Sequence, residues 1–127
     1  MLGDHPIDVI LLAKDLPEAK AFYVDKIGLE IANEAPDGDA VEFNCGGDSQ
    51  LAVTASTTGT ADSQTQAQFR VTDVAAEVAE LRSRGVKIED YDTPELKTED
   101  GIADLGIALV AWFIDPAGNA ISITQYK

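Results

Sequence analysis

Residues 6–28, PIDVILLAKDLPEAKAFYVDKIG, decide the fold, because they predict a strand followed at once by a capped helix. The β-branched and large apolar side chains at 6–12 indicate a short strand. Asp15 is the helix N-cap, Glu18 lies in the first turn, and apolar residues follow at the spacing of an amphipathic helix. Gly28 ends this helix, since glycine adopts the left-handed backbone that commonly closes one.

The same order returns in the second half of the chain. Residues 65–71 predict a strand, Asp73 caps a second helix, and Gly85 ends it. The capping aspartates lie 58 positions apart and the two glycines 57. A period of this size indicates an internal repeat of one supersecondary unit.

Three further strands are predicted after each helix. Residues 56–64 are small and polar, which is typical of a linker. We therefore predict an α+β fold in one domain, with a first βαβββ module at 1–58 and a second at 62–127, whose sheets face a cleft. The further strands are predicted at 29–33, 40–45 and 50–55, and then at 86–90, 107–114 and 120–126.

Composition limits the classes of partner. The chain has 127 residues and a net charge of −14, which would repel nucleic acid and anionic membranes. This acidity either serves solubility alone or attracts a cationic small molecule. The sequence has no long apolar run and no signal peptide pattern, and Cys45 is its one cysteine, so we expect a cytoplasmic protein without a disulfide.

Three motifs together resemble the vicinal oxygen chelate superfamily, the glyoxalase, bleomycin-resistance and dioxygenase group. The resemblance implies paired βαβββ modules that form a half-open barrel around a central cleft, and often a homodimer. The motifs are DLPEAKAFY at 15–23 followed by IGL at 27–29, FRVTD at 69–73 with Val78, Leu81 and Gly85-Val86, and WFIDPAGN at 112–119.

The resemblance also implies where metal enzymes of this family hold their ion. The matching positions here are Asp8, Ala52, Gln66 and Ser122. Only Asp8 is a strong donor, whereas a first-row divalent metal needs several imidazole, carboxylate or thiolate ligands. We therefore predict a cleft without metal or other cofactor.

Alternation along the strands extends this set to the rest of the predicted cleft. Trp112 matches the position of a cleft tyrosine in family members that modify phosphonate antibiotics, and it could stack on a ligand or pack in the core. Tyr91, in the connection 91–104, could cover the cleft or be part of an ordinary loop. The predicted ligand-binding residues are Asp8, Ile10, Glu42, Gln66, Gln68, Arg70, Tyr91, Val110, Trp112 and Ser122.

Several of these polar groups have alternative roles. Gln66 and Gln68 could bind a ligand or bond each other, and Arg70 could bind an anion or pair with Glu42. His5 is predicted to be an exposed terminal residue.

Our first hypothesis is a homodimer that sequesters a small aromatic or cationic molecule, as drug-binding resistance members of the family do. The alternative is a metal-dependent lyase, isomerase or ring-cleaving dioxygenase of the same superfamily. A third option is metal-free acid–base catalysis by Asp8 or Glu42.

Overall fold

The computed structural model describes residues 1–57, 59 and 64–127. It forms two compact units, the first containing the described residues up to 59 with 116–118, the second containing 64–115 and 119–127. The predicted module boundaries at 58 and 62 lie outside the described residues. No helix in the described part of the chain is long and apolar enough to cross a membrane.

The first unit begins with a 3₁₀ turn at Leu2–Asp4 and then follows the predicted order of strand, helix and three strands. Its sheet has the order β1-β4-β3-β2, with β1 parallel to β4 and the other pairs antiparallel. The elements are β1 (Val9–Ala13), α1 (Leu16–Ala21), β2 (Glu30–Glu34), β3 (Ala40–Asn44) and β4 (Gln50–Ala55).

The first helix has the predicted ends and an unpredicted wide turn. The Asp15 carboxylate accepts a hydrogen bond from the Glu18 N–H at 3.0 Å, as an N-cap should. After α1 the chain continues as a π-helix at Phe22–Ile27, and Gly28 closes it with a φ of 81°. A π-helical turn holds more residues than an α-helical one.

The second unit repeats the order of elements and the sheet topology. Its sheet runs β5-β8-β7-β6, with β5 parallel to β8. The predicted α+β class with two βαβββ modules is thus confirmed. The elements are β5 (Thr65–Arg70), α2 (Val74–Ser83), β6 (Ala103–Asp104), β7 (Ala108–Ile114) and β8 (Ala120–Tyr126).

One predicted strand is wrong. Residues 86–90 form no strand, although Val86 and Ile88 are buried and the Glu89 N–H donates to the Trp112 carbonyl at 2.8 Å. The apolar alternation there reflects burial rather than a ladder of hydrogen bonds. The third strand of this sheet is the short β6, which pairs with β7 and lies at the end of the connection predicted as a loop.

Each sheet buries the face that contacts its helix. In the first unit Tyr23 packs on Phe43 with ring centroids 5.8 Å apart. In the second, α2 contacts β7 and β8 and buries Val78, while Phe113 is buried in β7. Each sheet also has an opposite side, named here its helix-distal face, and the predicted ligand-binding residues on the strands belong mainly to these faces.

Candidate functional site

The helix-distal face of the second sheet follows from the strand register. Gln68, Ser122 and Trp112 lie side by side on β5, β8 and β7. The next row on the same face contains Arg70, Thr124 and Val110, because side chains alternate along a strand. Register therefore brings five of the predicted residues together on one surface, namely Gln68, Arg70, Val110, Trp112 and Ser122.

Gln68 connects the polar groups of this surface. Its Oε1 accepts hydrogen bonds from Thr124 Oγ1 at 2.9 Å and from Ser122 Oγ at 3.4 Å. Its Nε2 donates to the Tyr126 hydroxyl at 3.1 Å. Ser122 is only 2% exposed, so its hydroxyl needs such a partner. These three contacts, to Thr124, Ser122 and Tyr126, set the orientation of the Gln68 amide.

The indole of Trp112 lies across the neighbouring strand. Its Nε1 donates to Thr65 Oγ1 at 3.1 Å, although Trp112 is on β7 and Thr65 on β5, with β8 between them. Two strand spacings amount to about 10 Å, so the ring must span β8 to make this bond. Tyr91 contacts the indole edge to face, with centroids 5.5 Å apart at 88°. Trp112 is half-buried and held at two points.

Arg70 lies over an aromatic ring. Its guanidinium carbon is 5.3 Å from the centroid of the Tyr126 ring, within the range of a cation–π contact. The Tyr126 hydroxyl is the group that accepts from Gln68. Tyr126 is not among the residues predicted from the sequence, because its position at the end of the last strand carries no motif.

The alternation predicted for β5 is interrupted at Gln66. Thr65 pairs with Ala120 and Ala67 with Ile121, so Gln66 is an extra residue in a bulge. The expectation that Gln66 follows the same alternation as Gln68 and Arg70 is therefore wrong. Thr65 takes the register position on the helix-distal face and bonds Trp112. No signal in the sequence marks the bulge.

Tyr91 also borders a pocket of about 400 Å³, within a connection that folds back on itself. The Tyr91 N–H donates to Thr98 Oγ1 at 2.9 Å. Burial raises the pKa of the Tyr91 phenol, and the nearby Glu89 carboxylate raises it further. Backbone bridges join Asp92 to Lys97 and Glu99 to Ile102. The residues that line the pocket are Asp90, Tyr91, Asp92, Lys97, Thr98 and Glu99.

The helix-distal face of the first sheet is different in composition. Ile10 pairs with Ala52, and Ala52 with Glu42, so these three side chains share a face. Ile10 is 63% exposed. Asp8 lies one residue before β1, outside the ladder that joins this strand to β4, and is exposed.

The four positions implied for a metal do not suit one. Asp8 is exposed and outside its ladder, Ala52 has no donor atom, and the Ser122 hydroxyl donates to Gln68. Gln66 lies in the bulge. Among the described residues, no group of three or more His, Cys, Asp or Glu side chains could hold a metal ion. This donor set does not fit the first-row ion that the family implies.

Two other candidates have little reactive character. His5 is exposed, as predicted, after the first 3₁₀ turn. Burial raises the pKa of the Cys45 thiol, which keeps it protonated at neutral pH and so a weak nucleophile.

Comparison with protein families agrees with the geometry of the two units. The model of the Glyoxalase/Bleomycin resistance protein/Dioxygenase superfamily matches residues 5–123. A comparison with curated protein sequences gives no match.

Several solved structures share this fold over most of the chain. TnmS3, an antibiotic binding protein from Streptomyces sp. CB03234, is 26% identical, with a TM-score of 0.70 over 97% of this chain and 96% of that one. A lactoylglutathione lyase from Agrobacterium tumefaciens is 27% identical, with a TM-score of 0.64 over 94% of this chain and 91% of that one. UcmS2 shares the fold, with a TM-score of 0.74 at 18% identity over 94% and 96% of the two chains.

Proposed function

The chain belongs to the glyoxalase, bleomycin resistance protein and dioxygenase superfamily, and from that membership we propose that it binds a small organic molecule without a metal. Its ligand surface is the helix-distal face of the second sheet, where Trp112 supplies an aromatic plane. Drug sequestration, and with it antibiotic resistance, is the form of binding that we propose. Sequestration requires a shaped surface and affinity but no reaction.

The observation that carries the proposal is the fixed indole of Trp112. Its Nε1 bond to Thr65 and its edge contact with Tyr91 hold a large aromatic ring at a set position. Gln68 supplies an exposed polar side chain in the same register row, and the buried Ser122 hydroxyl donates to its amide oxygen. A few placed polar groups beside an aromatic surface are typical of small-molecule sites. The antibiotic-binding relative at 26% identity supports the same class of ligand.

The metal-dependent alternative has weaker support. One relative is a lactoylglutathione lyase at 27% identity, but the donors at the implied positions include an alanine and a serine bonded to Gln68. We therefore favour binding over lyase, isomerase or dioxygenase chemistry. We assign no acid–base role to Asp8 or Glu42.

A thermal-shift screen tests the proposal. Natural-product antibiotics with aromatic, neutral and cationic groups are compared with Zn²⁺, Mn²⁺, Fe²⁺ and Ni²⁺, each against an EDTA-treated sample. A ligand at 100 times its Kd stabilises the folded state by about 2.7 kcal/mol, so we expect a rise in Tm of roughly 10 °C from at least one aromatic compound. Stoichiometric metal in the purified protein, with a comparable shift from metal alone, would contradict it.

Trp112→Phe and Phe22→Leu are the paired variants for this screen. Trp112→Phe removes the Thr65 bond and shortens the aromatic surface, so the antibiotic-induced shift should fall. Phe22 is half-buried in the first unit, so its variant should keep the shift.

Homodimerisation and a cytoplasmic location stay predictions. Light scattering on the purified protein measures the oligomeric state.

A further inference from the structure

The helix-distal face of the second sheet has no acidic side chain on β5, β7 or β8. This composition stands out in a chain with 23 Asp and Glu residues against 9 Lys and Arg. Asp104 on β6 pairs with Leu109, which places it on the opposite face. The polar or aromatic members of the face are Thr65, Gln68, Arg70, Trp112, Ser122, Thr124 and Tyr126. Its other positions are Ala, Val or Ile.

Arg70 differs from the other two arginines of the chain. Arg82 lies 2.9 Å from an Asp100 oxygen, and Arg84 lies 2.9 Å from a Glu80 oxygen. Among the described residues no carboxylate lies within ion-pair distance of Arg70. Its guanidinium instead lies over the Tyr126 ring, and its side chain is exposed. A guanidinium that contacts an aromatic face can still present its N–H donors to a carboxylate.

The register sets the separation between Trp112 and Arg70. Trp112 is in the row of Ser122, and Arg70 is in the row of Thr124, two residues further along β8. Two residues along a strand span about 7 Å. The indole turns towards Thr65 and the guanidinium towards Tyr126, in opposite directions along the sheet. The two groups are therefore further apart than the rows themselves.

We propose that the ligand of this surface is an aromatic acid, whose ring stacks on Trp112 and whose anionic group binds the Arg70 guanidinium. The inference rests on the proposed function and names the chemical class of its ligand. A ring and a carboxylate at least about 7 Å apart match the row spacing. The Gln68 amide, between the two groups, is already bonded to Ser122 and Thr124.

The charges near Arg70 affect a bound ligand more than the net charge of −14, most of which is distant from this face. Coulomb interactions with distant carboxylates are screened within a Debye length of about 8 Å at physiological salt. Glu89 lies near Tyr91, at the Trp112 end of the surface, whereas no acidic side chain lies on β5, where Arg70 is. A carboxylate placed at Arg70 therefore interacts mainly with that guanidinium. Arg70 thus favours an anionic ligand, whereas the net charge by itself favours a cationic one.

Biphenyl-4-carboxylate and its neutral isostere biphenyl-4-carboxamide form the probe pair. Trp112 is the one tryptophan of the chain, so intrinsic fluorescence reports stacking at this ring alone. We expect both probes to change the fluorescence, with the carboxylate bound roughly tenfold more tightly, as a charge-assisted hydrogen bond implies. Isothermal calorimetry provides the affinities independently.

Arg70→Gln removes the charge and keeps a side chain of similar polarity. It should lower carboxylate affinity roughly tenfold, to that of the carboxamide, and leave carboxamide binding unchanged. Arg84→Gln is the matched control, since Arg84 pairs with Glu80 on α2, and it should keep the preference. Circular dichroism confirms that each variant is folded.

The outcomes separate this inference from the proposed function. If both probes bind at Trp112 with equal affinity, or if Arg70→Gln keeps the preference for the carboxylate, the aromatic-acid assignment is overturned and the binding function stands. If neither probe alters fluorescence or releases heat, and the antibiotic screen is also negative, the proposed function fails together with the inference.

Discussion

The helix-distal faces of the two sheets come from the same topology and have opposite characters. On the first sheet Ile10, Ala52 and Glu42 share a row, and Ile10 is largely exposed. On the second sheet Gln68 bonds Ser122, and Trp112 reaches across β8. The second face therefore carries the longer-range side-chain bonds, and it is the face on which we propose that the ligand binds.

The helix-facing sides of the same sheets are alike. Phe43 and Phe113 are buried in equivalent places, on β3 and β7, under their helices. The repeat therefore preserves the packing that stabilises each unit and leaves the other face free to differ. In a duplicated fold, the surface whose side chains differ between the two units is therefore the first place to look for a binding site.

The largest expected effect tests the similarity of the two cores. Phe43→Ala removes a ring that is 0% exposed, and Phe113→Ala removes one that is 1% exposed. Each should lower the free energy of unfolding by about 3 to 5 kcal/mol, because a cavity replaces a packed side chain. Urea denaturation measures both. A cost under 1 kcal/mol for one variant alone would show that the cores are not equivalent.

An intermediate effect tests the contrast between the helix-distal faces. Gln68→Ala leaves the buried Thr124 hydroxyl without its 2.9 Å acceptor and should cost about 1 to 2 kcal/mol. Ile10→Ala is the matched change on the first sheet, and it should cost under about 0.5 kcal/mol because the side chain is mostly exposed. Equal costs by urea denaturation would remove the distinction between the two faces.

The smallest effect concerns the edge strands. Lys20 pairs with Glu34 on β2, while Lys127 donates to Asp104 on β6 at 2.8 Å. The hydrogen bond from Lys127 and a backbone bond from Gly106 lower the pKa of Asp104 below its ordinary value of 3.8. Its stabilising contribution is thus present above pH 3.8 and is lost as the pH falls through the lowered pKa.

Asp104→Asn should therefore lower Tm by roughly one degree at pH 7, since an exposed pair contributes little. The difference from the wild type should shrink towards zero in strong acid, which differential scanning calorimetry across pH follows. Adding Lys127→Gln to this variant should change nothing more. A difference that grows on acidification would mean that the sign of the pKa shift is wrong.

The sequence predicted the elements whose ends carry local chemistry. Asp15 and Asp73 cap their helices through side-chain bonds to Glu18 and Ala76 N–H groups. The hairpin turn at 115–119 is also fixed locally, since both Asp115 carboxylate oxygens accept from Asn119. Such contacts span three or four residues, so a sequence pattern contains them in full.

Long-range pairing explains what the sequence left out. Residues 86–90 alternate like a strand, but whether they pair depends on β7, whose register the pattern does not contain. The Thr65–Trp112 bond joins residues 47 positions apart through a bulge that one local pattern cannot reveal. The roles of the candidate binding residues stay predictions. The surface on which they lie is assembled from several strands, and a local sequence pattern does not contain the pairing between those strands.

The π-helix at Phe22–Ile27 accounts for an inequality in the repeat. Asp15 and Gly28 are 13 positions apart, but Asp73 and Gly85 are 12. The additional residue is absorbed by the wide turn of the first helix, and Gly28 still closes that helix, as Gly85 follows the second. An alignment of the two halves should accordingly open its gap inside the helix, where gap penalties are usually heaviest, and leave both caps matched.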